Sequence, residues 1–154
     1  MLNTQTEKTM ILTTYDAFNR ITPLHVGRLT NFLFRHLGKY GDQKSTIRKA
    51  IQYAAKERPG LGGKIFVIEE KNEIIGAAVV NKTGMADYIP ENILVYIATH
   101  EDYRGRGIGK KLMEITIENC RGSIASHIEP DNPAKSLYEK FGFTNLYLEM
   151  RLKR

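Results

Sequence analysis

The sequence predicts a mixed α/β fold, a mostly antiparallel sheet with one parallel strand pair and helices flanking it. Three observations carry this. Residues 64–69 (KIFVIE) and 73–81 (EIIGAAVVN) are strand-type runs joined by a tight polar connection at Lys71-Asn72, the pattern of a β-hairpin. Residues 93–98 (ILVYIA) are apolar at successive positions, as in a central strand covered on both faces. The second half then runs strand, helix, strand, which calls for a parallel pair with a right-handed crossover.

The elements follow in order. Met10-Ile11-Leu12, extending to Tyr15, reads as a short first strand. Thr22-Pro23 reads as a helix cap with proline in the first turn. Leu24, Val26, Leu29, Phe32, Leu33 and Leu37 then recur at helical spacings until Gly38 ends the run. A second helix after Asp42 carries Ile47, Ile51, Tyr53 and Ala54 toward Arg58-Pro59, and residues 59–63 (PGLGG) form a loop. Past the hairpin and the central strand come a glycine-rich turn, a helix over 107–120, a strand over 123–128, a short helix over 132–141 and a final strand over 143–152. The predicted order is β-αα-βββ-α-β-α-β.

Composition narrows the function. The 154 residues fit one domain over 1–154, 42% are hydrophobic and 26% charged, and no apolar run reaches the roughly 20 residues of a membrane span. Residues 1–10 (MLNTQTEKTM) lack the apolar core of a secretory leader, so a cytoplasmic location without membrane attachment is expected. The one cysteine, Cys120, allows no internal disulfide framework and no multi-cysteine zinc site. The histidines at 25, 36, 100 and 127 lack metal-ligand spacing, so no metal is expected. A net charge of +6 points to an anionic partner.

The strongest local signal is Tyr103-Arg-Gly-Arg-Gly-Ile-Gly-Lys-Lys111, between an apolar strand and an amphipathic helix. Glycines at 105, 107 and 109 permit positive φ and close approach of a ligand to the backbone. Their amides and the helix N-terminus together make a phosphate site. Arg104, Arg106, Lys110 and Lys111 crowd the same stretch, as suits a ligand with more than one phosphate. The plainer alternative is a glycine-rich turn with a solvated basic helix start. A Walker A loop is excluded because Lys110 is followed by Lys111 and not by a hydroxyl residue. A dinucleotide fingerprint is excluded because the glycines are too closely spaced.

Arg104-x-x-Gly107-x-Gly109 resembles the [Q/R]-x-x-G-x-[G/A] acyl-CoA pyrophosphate loop of the GNAT acetyltransferase superfamily. Residues 131–143 (DNPAKSLYEKFGF) are similar to that family's N-x-x-A-x-x-x-Y-x-x-x-G-F segment. The two segments occur in the family's order and separation, and the element order agrees from Met10 onward. The resemblance implies a sheet whose central parallel pair splays apart to admit the pantetheine arm of acetyl-CoA. It implies that amides between Gly105 and Lys110, Ile108 included, hold the pyrophosphate, with Arg104, Arg106 or Lys110 near the phosphates. It implies that the strand end Ile97-Ala98-Thr99 pairs through its backbone with the pantetheine arm. Asn132 would touch that arm too, although it lies six residues before Tyr138 where the family commonly shows seven.

The same resemblance implies acetyl transfer from acetyl-CoA to a primary amine by direct attack in a ternary complex. Tyr138 is then the candidate general acid for the leaving CoA thiolate, against the alternative of an ordinary packed helix tyrosine. A general base is not assigned. The central strand lacks the glutamate that several family members carry, and Glu91, His100, Glu101, His127 and a water-mediated route all stay open. Two other functions compete: a non-catalytic CoA-binding sensor, and a basic nucleic-acid-binding module. The second is disfavoured because the densest basic cluster coincides with the glycine loop and not with an aromatic-studded face. Family members are often dimers, so a homodimer is open; the identity of the amine acceptor is not legible.

Overall fold

The molecule is described over residues 9–154 by a computed structural model. The reading of the opening residues as free of a leader concerns residues 1–8 and lies outside the described residues. Strand β1 spans Met10–Tyr15, helix α1 Pro23–Leu37, α2 Lys44–Ala54, β2 Gly63–Glu70, β3 Glu73–Lys82, β4 Asn92–Thr99, α3 Ile108–Asn119, β5 Ile124–Ala125 and α4 Lys135–Lys140. Short 3-10 turns at Gly38–Tyr40 and Glu101–Tyr103 follow α1 and β4.

The strands form one sheet in the order β1-β2-β3-β4-β5, antiparallel except for the parallel β4–β5 pair. Local chemistry explains the element ends. Thr22 Oγ1 accepts from the His25 N–H at the start of α1, and Pro23 occupies the first turn. Lys71 and Asn72 both take positive φ (53° and 62°), as the hairpin turn between β2 and β3 requires. The sheet separates two apolar layers. Val26, Leu29, Leu33, Ile47 and Ile51 from α1 and α2 pack on one face with Ile65, Val79 and Tyr96. Ile108, Leu112 and Met113 of α3 and Tyr138 of α4 pack on the other with Phe66, Ile75 and Leu94. β4 contributes to both layers, as its unbroken apolar run predicts.

Four expectations are corrected. Residues 143–152 form no strand, because a period-2 pattern specifies a two-faced strand but not its partner, and no ladder receives this segment. The strand expected over 123–128 pairs only at Ile124 and Ala125, because β4 turns away from it. The helix expected over 132–141 is regular only over Lys135–Lys140. Leu24, counted in the apolar run of α1 with the residues that turn inward, is 71% exposed because it sits on the outward side of the first turn.

Candidate active site

The site is built where β4 leaves β5. Val79 pairs with Tyr96 and Val80 with Leu94, so Val95 is bulged out of the β3–β4 ladder. A bulge bends its strand and increases the local twist. β4 pairs with β5 only before that point, at Asn92–Ile124 and Ile93–Ala125. Beyond it, residues 95–99 have no ladder partner on the β5 side among the described residues, so a slot opens between the two strands. Ile97, Ala98 and Thr99 line its β4 wall and remain paired on their other side with Ala78, Ala77 and Gly76.

The glycine loop stands at the C-terminal end of β4, at the entrance to this slot. Gly105 and Gly107 take φ of 79° and 82°, and Gly107 is the N-cap of α3. Nothing lies within 4 Å of the position a Cβ would occupy at either residue. The loop therefore presents open backbone beside the positive end of a helix, the geometry that receives phosphate oxygens. Gly109, inside the first turn of α3, packs close to Leu137 and Thr99, and Ile108 is buried beneath the loop. These features fit an acyl-CoA pyrophosphate.

The cations of the loop are not equivalent. Arg104 donates to the carbonyl oxygen of His36 at 3.1 Å, so it ties the loop to the end of α1. The Arg106 guanidinium lies 5.0 Å from the centre of the Tyr103 ring, a cation–π contact at the loop surface. Lys110 is exposed on the first turn of α3. Asn132 uses its side-chain oxygen to accept from the Ala134 N–H at 2.9 Å, shaping the entry to α4.

Tyr138 of α4 packs on the α3 face of the sheet, in the cluster that holds Leu94. It is 5% exposed, its hydroxyl lies 3.0 Å from Ser126 Oγ, and Ser126 Oγ donates to the Leu94 carbonyl at 2.8 Å. Ser126 thus bridges the last paired part of β4 to the tyrosine. The Phe143 ring meets Tyr138 edge-on at 5.1 Å and fixes its orientation. Burial pushes the Tyr138 hydroxyl above its ordinary pKa, more than the Ser126 hydrogen bond lowers it. At neutral pH this group holds a proton.

The opposite, α1–α2 side of the slot carries a pair that sequence reasoning missed. Tyr96, next to the bulge, is 7% exposed and donates its hydroxyl hydrogen to Asp42 Oδ2 at 2.5 Å. Asp42 itself is exposed in the α1–α2 connection. Burial first, and the Asp42 carboxylate second, hold the Tyr96 hydroxyl far above its ordinary range. Tyr40 from the same connection donates to the Asp131 carbonyl at 3.1 Å, so the connection reaches across to the segment before α4. Its only sequence signal was the turn between two predicted helices.

The base candidates resolve differently. His100 is buried, its Nδ1 accepts from the Asp102 N–H at 3.1 Å and its Nε2 lies 3.4 Å from Glu73. Glu91 accepts from the Ser123 N–H at 3.1 Å and Glu101 pairs with Arg35 at 3.6 Å. These three serve turns and surface pairs. His127 is exposed beyond β5. Cys120 borders a separate cleft of about 430 Å³ at the far end of the sheet, with Lys64, Lys82 and Asn92, and burial raises its thiol pKa.

Comparison with known proteins bears on family and fold. A family model described as "Acetyltransferase (GNAT) domain" matches residues 62–145, more than half of the chain. The chain is 31% identical over 84 residues to a 5-NmdU N-acetyltransferase of Pseudomonas phage PaMx11. That match covers 53% of this chain and 58% of the phage protein, little more than half of that relative's length. The aminoglycoside N-acetyltransferase AAC(6')-Iy, solved with a CoA-linked bisubstrate analogue, is similar in fold, with a TM-score of 0.65, 17% identity and 96% and 99% of the two chains covered. A GNAT family acetyltransferase of Streptococcus pneumoniae TIGR4 gives a TM-score of 0.67 at 14% identity, with 95% and 98% covered.

Proposed function

The chain belongs to the GNAT acetyltransferase family, and on that premise we propose that it transfers an acetyl group from acetyl-CoA to a primary amine. The observation that carries this reading is the parting of β4 from β5 at the Val95 bulge, with an open glycine loop and helix N-terminus beyond the end of β4 and a buried tyrosine bonded to Ser126 just past β5. The phage relative's name, which specifies an N-acetyltransferase, supports nitrogen as the acceptor atom.

Acetyl-CoA supplies an activated acyl carbon and a thiolate leaving group. The loop amides from Gly105 to Lys110 bind the pyrophosphate, Lys110 adds charge, and Arg104 holds the loop against α1. The open edge of Ile97-Ala98-Thr99 takes the pantetheine arm as an added strand. In the transfer, a carbon–nitrogen bond forms as the carbon–sulfur bond breaks. The acceptor nitrogen, ammonium when captured, loses one proton to water before it attacks and a second to water once the bond has formed, while the Tyr138 hydroxyl gives its proton to the departing sulfur and regains one from water. Burial beside Ser126 keeps that hydroxyl protonated for the task.

Asp42 serves the acceptor. A primary amine of pKa about 10.4 is ammonium in all but about one molecule in a few thousand at pH 7. An exposed carboxylate at the α1–α2 mouth, held by Tyr96, captures that ammonium. A nearby anion also raises the amine's pKa, so Asp42 acts in capture and not as the base.

The test is a thiol-release assay with acetyl-CoA over a panel of amines, paired with calorimetry for acetyl-CoA. Turnover with an amine and micromolar CoA binding are expected. CoA binding without turnover on any amine would make the protein a non-catalytic CoA sensor and overturn the reading.

A further inference from the structure

Along the sequence the glycine loop is the densest basic cluster; in the fold a second one gathers on the outer face of α2. Residues 23–56, which form the α1–α2 layer, hold seven Lys and Arg side chains against one acidic residue, Asp42. That excess equals the net charge of +6 carried by the whole chain. Three of these cations are paired across the surface: Arg28 with Glu69, Arg35 with Glu101 and Lys39 with Asp131. Lys44, Arg48, Lys49 and Lys56 are exposed, and none has an ion-pair partner among the described residues.

This arrangement works against α2 itself. Lys44 stands in the first turn, where the helix dipole disfavours a cation, and Gln43 before it makes no side-chain cap. Lys44 and Arg48 lie four residues apart on one row, a spacing at which like charges destabilise a helix. No carboxylate in α2 offsets them. A surface helix that serves solubility interleaves both signs; this one holds a single sign. Gln52, one turn beyond Arg48, receives Arg58 Nε at 3.3 Å, so a further cation continues the row. At its other end Lys44 Nζ lies 5.2 Å from the centre of the Phe34 ring, which is 46% exposed. A row of cations with an open aromatic ring beside it suits a nucleic-acid backbone and a base stacked at its end.

We propose that the outer face of α2 binds the backbone of a nucleic-acid strand, and that the acceptor amine is carried on a base of that strand. Asp42 is the sole carboxylate of the α1–α2 layer; it stands two residues before Lys44 and is bonded to Tyr96. A free polycationic amine is repelled by Lys44, Arg48 and Lys49 on its way to that carboxylate. A strand whose phosphates meet those cations brings its amine to Asp42 with the field in its favour. The row from Lys44 to Gln52 is about 12 Å long at 1.5 Å per residue. That length accepts about three phosphates of a strand rising 3.4 Å each. An acidic peptide satisfies the cations but leaves the Phe34 ring without a partner. The amine half of this inference rests on the proposed acetyl transfer; the strand half rests on α2 alone.

Fluorescence anisotropy of a labelled oligonucleotide with the full chain is expected to give a Kd of about 10⁻⁵ M near physiological salt. That Kd should rise with salt at a log–log slope of about 2, as three neutralised phosphates require. The triple substitution Lys44→Glu, Arg48→Glu, Lys49→Glu should weaken this binding at least tenfold and leave the acetyl-CoA Kd unchanged. In the thiol-release assay, an oligonucleotide with one aminoalkyl base should show a KM at least tenfold below that of the free aminoalkyl nucleoside. The triple variant should erase that difference. No oligonucleotide binding, equal binding in the triple variant, or binding lost instead in Arg106→Glu, Lys110→Glu overturns the proposal. So does a lower KM for a lysine peptide flanked by glutamates. Binding that depends on α2, without thiol release from any amine, overturns the acetyl-transfer reading and supports the α2 surface. Should the triple variant fail to fold, Lys44→Gln, Arg48→Gln decides the same question by lowering the salt slope to about 1.

Discussion

In the proposed role of general acid the Tyr138 hydroxyl would face two demands, to hold its proton at working pH and to release it to the leaving sulfur. Burial meets the first, and the Ser126 oxygen at 3.0 Å orients the group for the second. Tyr138→Phe removes one oxygen from a packed ring and leaves the glycine loop untouched. We expect kcat to fall by about 10²-fold or more, the usual range for losing a positioned acid, with the acetyl-CoA Kd unchanged. Equal kcat in the variant would remove Tyr138 from the chemistry. The carboxylate of Asp42 makes a separable prediction. Asp42→Asn should raise the amine KM roughly tenfold, the loss of a charge-assisted contact worth about 1.4 kcal/mol or more, while kcat changes little. A lowered kcat at unchanged KM would argue against capture. Tyr138 was legible in the sequence because it falls in a spaced motif. Asp42 was not, because its partner Tyr96 is 54 residues away and nothing local marks the pair.

At the scale of elements, α3 must sit where its first turn can face a phosphate, and Gly76 of β3 decides this. A Cβ there would lie 2.5 Å from Ile108 Cγ2 and 3.1 Å from Leu112 Cδ1, both on α3. Gly76→Ala should therefore push the helix N-terminus off the sheet, costing about 1–3 kcal/mol of stability as overpacking does, and should weaken acetyl-CoA binding with it. Gly107→Val isolates the other requirement. No protein atom lies near its Cβ position, so beyond the strain of φ 82° its effect falls on the ligand. A folded Gly107→Val variant should lose calorimetric acetyl-CoA binding; normal binding would sink the loop assignment. The pairing of helix and strand periods with turn residues made α1, α2, the hairpin, β4 and α3 readable in the sequence. The splay was not readable from periodicity, because the bulge at Val95 shows only in the register of β3 against β4. The final strand was misplaced for the converse reason: its alternation is real, but pairing is a property of two segments.

Across the whole molecule, a clamp at His36 ties the end of α1 to the turn after β4 and to the glycine loop. The ring of His36, at the end of α1, accepts at Nδ1 from the Glu101 N–H at 3.2 Å and stacks on His100 at 4.2 Å between centroids. The His36 carbonyl receives Arg104, so the same residue holds the turn after β4 and the glycine loop. Burial is the main cause lowering the His36 pKa. His100, Arg35 and Arg104 push the same way, and only Glu101 opposes them. The folded chain therefore binds fewer protons than the unfolded chain in the window between the lowered pKa and the ordinary value near 6.5. Stability from this site is complete above about pH 6.5 and is lost as pH falls through the window, because protonation removes the Nδ1 acceptor and adds charge beside two guanidiniums. Thermal melts from pH 8 to pH 5 should show a falling Tm below about 6.5. His36→Gln, which keeps an acceptor but cannot titrate there, should flatten that fall. Because the clamp also carries Arg104, acetyl-CoA affinity should weaken over the same window in the wild type and less so in the variant. An identical acid slope in both proteins would place the titrating group elsewhere.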